Sequence, residues 1–312
     1  MDKHCFPFYI ALGCSLLSCS TFDTNETDKL NDIRSVEVAM AGFESEDETK
    51  ATVSIVDNKR YTAWDNTDEV GIFPDLGGYQ LGFSLNGQGG QTTAVFDGGG
   101  WAMRADAKYA AYYPFLFENK DRTVISVDYA GQIQIGDSNT GHLGSYTFCA
   151  SDPTASENGS ISFLLNQVGT LVWFKLTLPD PATYTEITLA TDDDLFVISG
   201  SYSLEENSGL VITPSKMSKT VTLKLNNVTT TASNQLVNAY MMVAPTDITG
   251  HSYKVYVKTS GGIYYSADLA SKNHVFGKGA FKAITASPEL SDGYNMGIGD
   301  WGEGGSISGG AN

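Results

Sequence analysis

The chain reads as an all-β protein of two β-sandwich domains, and three observations predict it. Short apolar runs alternate with polar residues along the chain and are separated by Gly, Pro, Asn and Asp clusters, the mark of strands joined by turns. Glycine is abundant at 33 residues, while charged residues make up only 18%, a composition suited to an extracellular or envelope β-protein. No window keeps a 3.6-residue apolar period for any length, and 312 residues give room for about two domains.

Taken in order, residues 19–32 are polar and acidic (Asp23, Glu26, Asp28, Asp32) and read as a flexible tether. Val36, Val38 and Met40 then alternate with Glu37, Ala39 and Ala41, a half-buried strand. A loop containing Lys50 leads to a second alternating run at Ala51, Val53 and Ile55. The stretch 64–117 supplies the central strands. Trp64 and a turn at Asp68 feed the apolar run Val70–Phe73, a Gly-rich segment follows, and Lys108–Tyr113 is stopped by Pro114, which has no N–H to give a ladder. Further strands are expected at 123–129, 132–135 and 146–149.

The loop 151–160 is the expected boundary, giving a first domain at 33–158 and a second at 159–292. The longest strand signal, Val168–Leu178, puts Val172, Phe174, Leu176 and Leu178 on one face. Leu171 and Trp173 fall on the other with Lys175 and Thr177. Alternating runs recur at Ile187/Leu189, 195–202, Val221–Leu225, 236–243, Tyr253–Val257, 262–267 and 281–284. In the tail, 293–312, Tyr294, Met296 and Ile298 alternate with Asn295, Gly297 and Gly299 as one more candidate strand.

The net charge of −17 argues against nucleic acid, whose binding depends on Lys and Arg neutralising phosphate. At the N-terminus, Phe6–Leu17 is an apolar run too short for a membrane span of ~20 residues, so 1–18 reads as a secretory signal. It ends in Leu16-Leu17-Ser18-Cys19, which resembles a bacterial lipobox. Lipidation at Cys19 would anchor the chain to the outer membrane, two acyl chains holding where one is marginal. Cys5 and Cys14 lie within the signal, so Cys149 would be left alone and no internal disulfide is expected.

Chemistry-bearing motifs are scarce. The nucleophile elbow, HExxH, Walker A loop and CxxC pairs are absent, and no cofactor or catalytic residue is assigned. His142, His251 and His274 are far apart in sequence and are expected to lack acid–base partners. Gly297-Ile298-Gly299-Asp300-Trp301-Gly302 matches a dinucleotide fingerprint, yet no parallel strand leads into it and no helix follows. Asp192-Asp193-Asp194 carries the clustered carboxylates a hard cation would need, but reads as a solvated turn. Asp137–Gly141 is an incomplete Ca²⁺ loop, because Phe148 stands where a bidentate Glu belongs. No metal is assigned.

These residues, in order, resemble the fimbrillin family of lipoprotein pilus subunits. The likeness is carried by Trp64-x₃-Asp68-x-Val70-Gly71-Ile72-Phe73, then by Ala110–Phe115. His142-Leu143 ahead of Tyr146–Ala150, Phe163–Leu178, Ala244-Pro245, Phe276–Gly279 and Asp300-Trp301 continue it. The resemblance implies two tandem transthyretin-like β-sandwich domains without a catalytic site. It also implies cutting after a basic residue, loss of the first strand (Val36, Val38, Met40), and filling of the groove by a strand of another subunit. The family's cleavage pattern falls on Thr49-Lys50-Ala51-Thr52, so Lys50–Ala51 would be the scissile bond, with Arg34 and Arg60 as alternatives. Tyr294, Met296 and Ile298 would be the donor strand.

The function expected is that of a structural subunit of a surface fimbrium, joined to other fimbrial subunits by β-strand addition and contributing to adhesion to a host or bacterial surface ligand. The alternative is a monomeric outer-membrane surface lipoprotein that binds glycans.

Overall fold

Val70–Phe73 and Tyr109–Tyr113 are runs of branched and aromatic residues broken only by Gly71, Ala110 and Ala111, and they pair as the antiparallel strands Glu69–Pro74 and Lys108–Tyr113. Successive side chains of a strand face opposite ways. Val70, Ile72, Tyr109, Ala111 and Tyr113 enter one apolar core, and Phe73, Ala110 and Tyr112 enter another. Burial on both faces is why these segments read as nearly unbroken apolar runs. The computed structural model describes residues 32–45, 59–60, 63–270 and 274–292. Within them the regular structure is strand apart from one 3-10 turn, Leu143–Tyr146.

From the central pair the first sheet passes through Leu81–Leu85, Thr93–Asp97, Ser35–Met40 and Ser162–Gln167 to Cys149–Ala150. That last strand pairs back onto Lys108–Tyr113, so the sheet closes into a ring. One join is parallel, Ser35–Met40 with Ser162–Gln167. Trp64, Phe83, Phe96, Phe163 and Val38 fill the interior.

The second module is a two-sheet sandwich. One sheet runs Gln235–Val243, Thr170–Leu178, Ala280–Ala286, Phe43–Ser45, Lys59–Arg60. The other runs Ile133–Ile135, Thr220–Thr229, Thr183–Thr191, Tyr253–Thr259, Tyr264–Asp268, Glu289–Ser291. The face assignment expected for 168–178 holds: Val172, Phe174, Leu176 and Leu178 lie in the sandwich core, and Leu171 and Trp173 on the opposite side. That opposite side is a third core, shared between the modules. Phe73 and Tyr112 reach it from the first module, Trp173 and Tyr240 from the second, and Tyr202 from the strand Phe196–Tyr202.

The modules interleave along the chain. Ser162–Gln167 hydrogen-bonds in the first sheet although it follows the 151–160 loop. Ile125–Asp128 and Ile133–Ile135, which precede that loop, pair with Phe196–Tyr202 and Thr220–Thr229.

The segment around Ile133–Ile135 closes the sandwich by an unusual device. Its backbone pairs in parallel with Lys224–Asn226, while its side chains serve the other sheet. The Gln132 amide donates to the Met242 carbonyl (2.6 Å) and accepts from the Met242 N–H (2.8 Å). The Gln134 amide accepts from the Tyr240 N–H (2.8 Å) and donates to the Asn238 carbonyl (3.0 Å). Asp137, expected to sit in a plain loop, accepts from the Asn238 N–H (2.7 Å). Side chains thus occupy the outer edge of Gln235–Val243, where a further strand would otherwise pair.

Candidate functional site

Ser35-Val36-Glu37-Val38-Ala39-Met40 has the two-residue alternation of a strand with one buried face, and Val36, Val38 and Met40 are 4% exposed or less. The strand is held on both sides: antiparallel to Thr93–Asp97 and parallel to Ser162–Gln167. It is an inner strand of the ring, not an edge. At Ala41 the chain leaves the first module, with its N–H donating to Leu165 and its carbonyl accepting from the Gln167 side chain (3.0 Å). Two residues on, Phe43–Ser45 joins the second module, parallel to Ala280–Phe281. Phe43 is fully buried in the shared core.

One short segment therefore lies in the sheets of both modules. Burying Val36, Val38, Met40 and Phe43 contributes roughly 6–12 kcal/mol at about 1.5–3 kcal/mol each. A whole domain is stable by only about 5–15 kcal/mol. Taking the segment out would leave a trough between Thr93–Asp97 and Ser162–Gln167 that continues along Ala280–Phe281.

The residues expected to bear lipid, cleavage site and donor strand (Cys19; Lys50 and Ala51; Tyr294, Met296 and Ile298) lie outside the described residues. Of the alternative cleavage sites, Arg34 is exposed and paired with Asp32 at 3.3 Å. Phe43 lies at the end of the segment whose apolar face is Val36, Val38 and Met40, and its place in the shared core is not readable from sequence, because a single Phe beside acidic residues shows no alternation.

The histidine expectation needs correction. His251 does have carboxylate partners: its Nδ1 lies 3.0 Å from Asp192 and 3.4 Å from Asp193. The ligand-capable atoms of these three residues lie within 4.8 Å of one another, and Asp194 is not among them. The Ser252 N–H, and secondarily His251, hold the Asp192 carboxyl below its usual range. The group pins the turn after Thr183–Thr191 to the loop before Tyr253–Thr259. Sequence could not show this, because 59 residues separate the partners. His142 Nε2 meets the Tyr240 carbonyl at 2.9 Å, and burial pushes its pKa down. Cys149 is fully buried and burial pushes its thiol pKa up, so it is no ready nucleophile.

No family model and no curated protein matches the chain. Solved structures do. A candidate cell adhesion protein from Bacteroides ovatus ATCC 8483 aligns with 82% of this chain and 94% of its own, with 14% identity and a TM-score of 0.53. One from Bacteroides uniformis ATCC 8492 aligns over 83% and 95%, with 16% identity and a TM-score of 0.51. A fimbrial protein from Bacteroides ovatus ATCC 8483 aligns over 81% and 49%, with 15% identity and a TM-score of 0.42. What this chain shares with the first two is its fold, an all-β pair of modules in keeping with the fimbrillin resemblance of its sequence.

Proposed function

We propose that the chain is a structural subunit of a bacterial cell-surface fimbrium, exported as a lipoprotein through Cys19 and contributing to adhesion. Subunits join by strand exchange. A cut at Lys50–Ala51 frees the segment that carries Val36, Val38, Met40 and Phe43. An alternating strand of the next subunit, of the kind formed by Tyr294, Met296 and Ile298, then fills the trough. The observation that carries this reading is the placement of Ser35–Met40 and Phe43–Ser45 in the sheets of both modules. A trough with apolar pockets at alternate positions, flanked by unpaired backbone groups, is what β-strand addition requires.

The test is limited trypsin digestion of the chain from Cys19 onward, followed by size-exclusion chromatography and denaturing gels. A single early cut near Lys50 and a ladder of polymers are expected, with Lys50→Ala suppressing both. An intact monomer under the same conditions would overturn the proposal, and if that monomer bound polysaccharide it would favour the glycan-binding lipoprotein.

A further inference from the structure

Where the two modules meet, packing leaves a cavity of about 460 Å³, within the range of roughly 300–1,000 Å³ typical of small-molecule sites, which favour domain junctions. Phe43, Leu171 and Tyr240 form its apolar wall, each no more than 6% exposed. The turn after Trp64 brings two carboxylates to it, Asp65 and Asp68, and the Leu143–Tyr146 turn adds Ser145.

Both carboxylates are fixed before any ligand arrives. Asp68 accepts the Tyr113 hydroxyl on one oxygen (2.8 Å) and the Asp65 N–H on the other (2.6 Å). Asp65 accepts the Thr67 N–H and hydroxyl on a single oxygen, at 3.2 and 3.1 Å. A carboxylate offers about four lone-pair sites, so each keeps acceptor capacity. Among the described residues, no Lys, Arg or His lines the cavity.

A ligand here must supply donors, and the charge that complements the site is positive. Anions meet two fixed negative charges, with no positive side chain among the described lining residues to offset them. A neutral sugar would want an open aromatic face to stack on, and Phe43, Tyr113 and Tyr240 are too buried to offer one. The net charge of −17 also raises the local concentration of cations.

We propose that this cavity binds a small organic cation, a primary ammonium or guanidinium on a short apolar stem, with Asp65 and Asp68 accepting its N–H groups and Leu171 packing its stem. The inference concerns the uncut chain, in which Phe43 still closes the wall, and holds there whether or not strand exchange follows.

The experiment is calorimetric titration of the uncut chain with cadaverine and with agmatine, with glucosamine as an amino-sugar arm and glucose as the neutral control. Saturable binding of one equivalent of an amine is expected, weakening with added salt and absent for glucose. Asp65→Asn should weaken it about tenfold through loss of a charge-assisted acceptor. Ser145→Trp, which fills the cavity from an exposed turn, should abolish it without moving the urea midpoint, and Glu289→Gln on a distant edge strand should leave it unchanged. Absence of saturable binding by all three amines, glucose binding as well as they do, or full affinity in Asp65→Asn would each overturn the proposal.

Discussion

Gly71 lies directly beneath the ring of Tyr112, its partner across the sheet, and a Cβ there would fall inside that ring. The Val70-Gly71-Ile72 run needs its glycine for close approach, with no demand for an unusual backbone angle. Gly71→Ala should therefore destabilise the protein by about 1–3 kcal/mol through overpacking, read as a lower urea midpoint with unchanged m-value. Trp64, Asp68 and Tyr113 form a second unit. Trp64 meets Tyr113 and Phe96 edge-on at 5.2 and 4.8 Å, and the Tyr113 hydroxyl donates to Asp68. Burial, then the Asp68 charge, push the Tyr113 pKa well up, and burial does the same to Tyr129, Tyr202 and Tyr253. These groups hold their protons more tightly folded than unfolded. The stability they supply is complete below the unfolded value of about 10 and is lost as pH rises above it. Urea midpoints should fall above about pH 10, and the tyrosinate absorbance of these four buried rings should appear together with loss of the circular dichroism signal. Titration of these tyrosines in a still-folded chain would contradict this. The turn at Asp68 was legible from residue type, whereas its tyrosine partner, 45 positions on, was not.

At the scale of elements, Ser35–Met40 and Thr170–Leu178 were legible because a two-residue period survives in sequence. Leu81–Leu85 and Thr93–Asp97, each short and set among glycines in the stretch read as a Gly-rich connection, were not. The two-face reading of Thr170–Leu178 is the best case. Pairing partners left no such trace. Nothing in Ser162–Gln167 tells that it runs parallel to Ser35–Met40, since a ladder is made by backbone atoms common to every residue. The glutamine device at Gln132 and Gln134 was hidden for the opposite reason: two polar residues in an alternating run look like a solvent face, yet both side chains are fully buried. Replacing Gln134 by Ala would leave the Tyr240 N–H without its acceptor, costing about 1–3 kcal/mol. It should also expose a sheet edge that sequence and fold otherwise keep covered. Thermal denaturation would register the first effect, and light scattering at high protein concentration the second.

For the molecule as a whole, the chain passes repeatedly between the modules: over at Ala41–Gly42, back between Arg60 and Trp64, over before Ile125, back after Ile135, and over again at Val168–Gly169. Residues 33–158 alone would lack Ser162–Gln167 and the partners of Phe43, so that fragment should not fold, as its proton NMR dispersion would show. The full chain should unfold in one transition, coincident by fluorescence and circular dichroism. Two separated transitions would mean that the shared core couples the modules only weakly. The all-β class and two-part build were legible from composition and period. The interleaving was not, because a linear boundary assumes that chain order and spatial order agree.

The slot filled by Ser35–Met40 has two unlike walls, one matched to a chain running alongside and the other to a chain running against. Parallel and antiparallel ladders space their hydrogen bonds differently, so a guest entering backwards would mismatch both walls at once. Any replacement must arrive in a single direction. An assembly built through this slot would carry an arrow from end to end.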